Sequence, residues 1–493
     1  MKPLGTITLC FPHVDDETRF TLQSVMDEAE NYADFTERLC EKVCIEETPP
    51  VLHYFAFFHA WNLDMYPQME KLFNLDDSPI FIEPLYLSSK VVLGYEVDMK
   101  VMRKSLVKAM ETIPNDWLAC HLYLPWRRVA DSFDPESDTD LQTMETLRER
   151  IENDEDYDCF KALLNGLEAF GMTLKGYRVE SINLYKEGIE IARKHDDLAL
   201  VADGLYFLAE TIKKDDPSQA MDLMLEQKKI GEELGYALAV ARYLLVVGEI
   251  MNMRGEYDGA LKHLQEFRET THSVGNPESL LNMSHILTYN LMGNGKKALE
   301  YLEKAQGRID GRKRNIAFYY LHLAFALMNN EDESRALKAL DAAKQLAFQS
   351  GNQYTMNMHQ LLEGIFEKKR GDFLTAANTL ENLLIQIGKE NHIHKTLCYF
   401  HLADIEVETY SSEQIGLSES WLHRFESFTE ERNYPGFKAQ AKILRAKLLQ
   451  KQGDHEKSQK LIDEVLEVAK SPKMLYLKKM IATYVPEIST RRR

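Results

Sequence analysis

Two groups of residues in this 493-residue chain carry the side chains that hold metals. Cys10 and His13 stand near the start, and Cys40 and Cys44 follow, four apart, so that on a helix their thiols share one face. Thiolate and imidazole suit tetrahedral zinc. The spacing matches no standard zinc pattern, however, and buried cysteines at i and i+4 make an ordinary core stripe. His394, Cys398 and His401 fall at i, i+4 and i+7 on one helical stripe. The next position on it is the apolar Ile405, Asp404 lies to one side, and Leu397, Phe400 and Leu402 must face a core. Both groups read as packing, and no metal, cofactor or catalytic residue is assigned. Asp15, Asp16 and Glu17 could offer a carboxylate pair, but ahead of a helix beginning near Phe20 they complement its dipole. Glycine-rich phosphate loops, Gly-x-Ser-x-Gly elbows and zinc-protease helix motifs do not occur. The expectation is a protein that is not an enzyme.

Composition narrows the partners. A net charge of −19 would repel the phosphates of nucleic acid. Six cysteines in so long a chain are no disulfide framework and suggest a reducing compartment. The apolar stretch at residues 4–11 is too short, and too soon acidic, for a signal peptide. Residues 51–61, the most apolar helix candidate, contain His53 and His59 and fall short of a membrane span. A cytoplasmic location without a membrane partner is expected. Gly and Pro are scarce, which favours long helices.

Elements that could position a site emerge from an internal period. Most of one pattern, a Gly-containing turn, a small residue, and Leu at the next and fourth positions, recurs around Ala260, Ala298, Ala336 and Ala376, with no Gly before Ala336, and with Ala377 in place of the first Leu after Ala376. Extending the marker gives Ser181, Ala220, Ala260, Ala298, Ala336, Ala376, a degenerate position near Ser418, and Ser458, about 40 residues apart throughout. Such a marker sits where the second helix of a pair crosses the first, and a larger side chain would push the two apart. Neither helix can bury its apolar stripe alone, so neighbours must stack. The fold class is all-α: a right-handed α-solenoid of stacked antiparallel helix pairs.

Tyr320, Leu323, Ala324, Leu327, Ala336, Leu337, Leu340 and Ala343 resemble successive consensus positions of a tetratricopeptide repeat, as do Val247, Gly248, Gly255, Tyr257 and Ala260. The period exceeds the roughly 34 residues usual for that family. It looks like the long-helix variety of bacterial regulators and peptide-binding scaffolds, over about residues 160–475. The resemblance implies a concave groove lined by the first helix of each pair. Carried over by position, the groove residues are Phe318, Leu321, Phe325, Met328, Met358, Leu361 and Ile365, with Met283 and Leu287 from the preceding unit. A large exposed apolar patch of this kind marks a binding site. The alternative is that a tight superhelix buries the same residues against its own turns.

The expected organisation is an N-terminal arm and capping helix at 1–45, divergent helical pairs at 46–130, an acidic linker or helix at 131–158, the repeat array at 159–485 and a basic tail at 486–493. Residues 1–150 carry 14 basic and 27 acidic residues, net −13, whereas residues 437–493 carry 14 and 6, net +8. Lys447, Lys451, Arg491, Arg492 and Arg493 form a basic end that could dock an acidic partner or another copy. The favoured function is a non-catalytic adaptor that binds a peptide or helix of a partner protein in the groove. The alternatives are a regulatory sensor of a small ligand or signalling peptide and, third, a metal-binding protein built on the Cys/His groups.

Overall fold

The polar turns between apolar stretches are where helices begin. Asp216, Asp332, Asn352, Asp372 and Asp454 each turn a side-chain oxygen onto the backbone N–H three residues on, at 2.9 to 3.2 Å. Each bond fills one donor that a helix start leaves open. Gly371 precedes Asp372 at φ 81°, a left-handed turn that a side chain would strain.

The computed structural model describes residues 5–8, 11, 14–45, 48–63, 65–75, 82–92, 97–98, 101–102, 104–105, 108–109, 158–175, 177–271, 278–306, 313–387, 392–410 and 415–486. Among these there is no strand. The chain divides into two compact units, Met1–Val246 with Phe267–Pro277, and Val247–Glu266 with Glu278–Arg493.

Unit 1 holds α1 (Gly5–Thr8), α2 (Asp16–Glu28), α3 (Tyr32–Ile45), α4 (Pro50–Asn62), α5 (Tyr66–Phe73), α6 (Glu83–Val92), α7 (Asp158–Lys175), α8 (Arg178–Lys194), α9 (Leu198–Ile212) and α10 (Pro217–Leu234). Asp15 caps α2 by accepting from the Thr18 N–H at 2.8 Å. The capping helix expected within residues 1–45 is two helices, α2 and α3, rather than one. Ala29 turns extended, and Asn31 accepts from the Asp34 N–H at 3.0 Å to start α3 afresh. The arm expected ahead of these helices is packed at α1: Gly5 donates to the Asp196 carbonyl at 3.1 Å and Ile7 is fully buried. Cys40 is buried and Cys44 exposed, while Cys10 and His13 lie outside the described residues. Most of the acidic stretch at 131–158 also lies outside them.

The boundary between the units falls within α11 (Ala237–Arg254) and α12 (Tyr257–Thr271). Unit 2 continues through α13 (Glu278–Leu291), α14 (Gly295–Gln306), α15 (Lys313–Asn329), α16 (Glu333–Ser350), α17 (Gln353–Lys369), α18 (Phe373–Gln386), α19 (His392–Thr409), α20 (Ile415–Glu431), α21 (Pro435–Lys451), α22 (His455–Val468) and α23 (Tyr476–Tyr484). Here α13, α15, α17, α19 and α21 pack side by side as an inner layer, each also paired with the helix that follows it.

The small markers sit at the crossings. Ser181, Ala220, Ala260, Ala298, Ala336, Ala376 and Ser458 are at most 1% exposed, while the side chain of Ser418 lies outside those described. Ser181 and Ser458 donate their hydroxyls to the carbonyls of Ala169 and Ala446, each twelve residues upstream, at 2.8 and 2.9 Å. A side chain on Gly364, opposite Ala376, would come within 2.8 Å of Leu380. Replacing Ala336 by Leu should therefore overpack the crossing of α15 and α16, costing about 1–3 kcal/mol. Thermal denaturation checks this. An unchanged melting temperature would mean the crossing has room that its full burial denies.

Candidate functional site

The inner face of unit 2 is closed by contacts between segments far apart in sequence. Gly255, at φ 76° in the turn between α11 and α12, lies so near Gly436 at the start of α21 that a Cβ on Gly436 would overlap the Gly255 carbonyl oxygen. Tyr476, the first residue of α23, donates its hydroxyl to that same carbonyl at 2.8 Å. Its backbone N–H donates to the Asp258 carboxylate at 2.9 Å. Gln440 donates to the Tyr476 hydroxyl at 3.0 Å, and the ring lies 4.7 Å from that of Tyr257. Burial holds the Tyr476 and Tyr257 phenols above the usual tyrosine range, so both keep their protons at neutral pH.

The helix α23 has two working faces, as its spacing allows. Leu477, Ile481 and Val485 join the core of α21 and α22. Tyr476, Met480 and Tyr484 turn towards the inner layer. Between α23 and that layer lies a cavity of about 300 Å³. Phe325, Ile365, Leu397 and Phe400 supply its apolar wall, and Asn290, Asn329 and Gln440 bring amides to it.

These amides belong to a ladder. Asn252, Asn290 and Asn329 end successive inner helices, 38 and 39 residues apart. Asn252 donates to the Thr288 hydroxyl at 2.8 Å, Asn290 to the His322 carbonyl at 3.1 Å and Asn329 to the Asn290 carbonyl at 2.9 Å. The side-chain oxygen of Asn290 has no hydrogen-bond partner among the described residues, although the residue is 1% exposed. In the next helix a lysine takes the equivalent place. Lys368 reaches the buried Asp404 carboxylate at 2.5 Å and the His401 Nδ1 at 3.1 Å, while the Tyr484 hydroxyl donates to Asp404 at 3.4 Å. Burial, together with Lys368 and Lys369, holds His401 well below the usual imidazole range, so it is neutral and accepts from Lys368.

Of the groove residues read from the sequence, Phe325 and Ile365 line this cavity, each buried against it. Leu321, Met328, Met358 and Leu361 are buried in the core that joins the inner helices. Phe318 is half-buried, edge-on to His322 at 4.4 Å. Met283 and Leu287 are half-buried on α13. Among the described residues, closure of the unit buries most of this inner face and leaves the cavity beside α23.

At the basic end, Lys447 and Lys451 contact the Glu408 carboxylate at 2.5 and 3.5 Å, whereas Arg491, Arg492 and Arg493 lie outside the described residues. His394 stacks near Tyr354 at 4.7 Å and Cys398 is fully buried. Among the described residues no three His, Cys, Asp or Glu side chains are grouped to hold a metal ion, and no helix is long and apolar enough to cross a membrane.

The asparagine ladder was within reach of sequence reasoning, since it repeats with the small markers. The residues of α23 carry no such signal, because their contacts cross more than 200 positions.

No known family profile matches the chain, and no curated protein matches it. Solved structures do. The Rap conjugation gene regulator of the plasmid pLS20, in complex with the Phr* peptide, is 13% identical, with 82% of this chain and 95% of that one covered and a TM-score of 0.40. A Rap protein complexed with competence and sporulation factor is 12% identical over 88% and 99%, with a TM-score of 0.34. The apo form of RapI is 12% identical over 86% and 99%, with a TM-score of 0.32.

Proposed function

We propose that this chain is a non-catalytic, cytoplasmic scaffold of tetratricopeptide-like repeats that receives a segment of a partner protein, or a free peptide, in the cavity of unit 2. The observation that carries the reading is the cavity itself, a concave space with an apolar wall and convergent amides, one of which has an unused acceptor. An extended peptide presents an N–H and a C=O at every residue, and asparagine offers both complements. The wall of Phe325, Ile365, Leu397 and Phe400 would take an apolar side chain. At about 300 Å³ the space holds the end of a peptide and not a folded partner.

The same size supports the sensor reading, since small-ligand pockets begin at roughly 300 Å³. A ligand that touched both the inner layer and α23 would bias the closure at Gly255, which is how occupancy could be transmitted.

The test is capture of peptides from a random pool by the immobilised full chain, followed by thermal denaturation with each retained peptide. At a hundred times its Kd a specific ligand adds about 2.7 kcal/mol of stability. Replacing Asn329 by Leu should remove that gain, while the free protein loses only about 1 kcal/mol with the bond to the Asn290 carbonyl. If the gain survives, the ligand sits elsewhere.

A further inference from the structure

The charge of the cavity is at odds with that of the chain. Against a net of −19 overall, the lining contains Lys368, Lys369 and Lys479 and no aspartate or glutamate. Lys368 is answered by Asp404 behind the wall. Lys369, the last residue of α17, is exposed, and its ammonium donates to the Met328 carbonyl at 2.6 Å. One bond to a neutral acceptor leaves two N–H donors; burial and the neighbouring Lys368 lower its pKa, and Glu331, outside the lining, is a carboxylate that acts on it. Lys479 stands exposed one turn beyond Tyr476 on α23. His401 is held neutral, so it adds no further cation. In the same lining the amides of Asn329 and Gln440 each give one N–H to a protein acceptor and keep a second.

Two lysines of the lining, Lys369 and Lys479, therefore face no carboxylate within it. We infer that the cavity selects a carboxylate, held between Lys369 on the inner layer and Lys479 on α23, with the adjoining apolar residue of the same ligand against Phe325 and Phe400. The inference rests on the peptide reading and sharpens it: the ligand enters by its carboxylate end. Because the two lysines lie on different elements, a bound carboxylate would also tie α23 to the inner layer. Two sources share this chemistry, a C-terminal carboxylate and an acidic side chain. The size of the cavity favours the terminus, since about 300 Å³ takes the last residue of a chain more readily than a chain passing through.

The probe is an equimolar mixture of two N-acetylated random pentapeptide pools, one with a free C-terminal carboxyl and one amidated, passed over the immobilised full chain. Retained peptides are sequenced by mass spectrometry. Free-acid peptides should be enriched at least tenfold, falling below twofold for a Lys369→Met, Lys479→Met double variant and returning for Lys369→Arg, Lys479→Arg. Enrichment of Asp or Glu within the amidated pool would assign the seat to a side-chain carboxylate and would overturn the terminal preference. Retention of both pools alike overturns the inference and leaves the peptide reading standing. A preference undiminished in the double Met variant also overturns it, by placing the anion seat elsewhere. Retention of neither pool overturns both. Lys369→Met also gives up the bond to the Met328 carbonyl, so the double Met variant should lose about 1 kcal/mol of stability, and circular dichroism checks that it keeps the helices of the parent.

Discussion

Replacing Gly436 by valine should break the closure of unit 2, with a loss of about 3 kcal/mol and of any ligand the cavity holds. A Cβ at this position meets the carbonyl oxygen of Gly255, which is backbone and cannot swing aside as a side chain would. The turn and the start of α21 must separate. Tyr476 then loses the acceptor of its hydroxyl and the geometry of its N–H bond to Asp258. Faster hydrogen exchange in α23 and at residues 255–258, together with a lower melting temperature, would be the measured result. Gly166 in α7 provides the contrast. A Cβ there has no neighbour within 4 Å, so Gly166→Ala should be neutral or stabilising by about 0.5–1 kcal/mol through the helix preference of alanine. Equal melting of the two variants would mean that Gly255 and Gly436 are not in contact.

The second large effect is acid sensitivity centred on His322. This residue of α15 is fully buried, and neither ring nitrogen has a hydrogen-bond partner among the described residues. Burial pushes its pKa down to about 3, against 6.5 for the exposed ring. Between those values the unfolded chain binds a proton that the folded chain refuses, so stability falls as pH falls from 6.5 towards 3. Each unit of pH is worth about 1.4 kcal/mol, which gives a loss of about 3 kcal/mol between pH 6.5 and 4. His322→Leu, close in volume and unable to titrate, should remove that component. The gap in denaturation midpoint between variant and parent should widen steadily as the pH is lowered from 7 to 4. A gap that stays constant would show that the imidazole is solvated or paired.

The two predictions separate what neighbours in sequence dictate from what they do not. His322 is one helical turn from Phe318, and its burial follows from the apolar stretch in which it stands. Gly436 reads locally as a residue just inside a helix start after Pro435. Its contact with Gly255 depends on how five inner helices curve, a sum of small crossing angles set by many side chains at once.

The amino-acid sequence by itself determined the helices, their pairing and the crossings. Turn residues, apolar spacing and small markers act within about 40 residues, and each is enforced by packing that any one pair must satisfy. It also marked Phe325 and Ile365 as inner-face residues, because helical periodicity tells which stripe a residue occupies. It left open whether that face is a groove or a core. Only the tertiary structure decided this, by bringing α23 back to a turn 221 residues earlier and leaving a cavity lined by both Lys369 and Lys479. Closure is the cumulative result of repeat curvature, and no single repeat contains it. The line between buried and bound is therefore drawn by the superhelix, while the residues that stand on it were already chosen by their spacing.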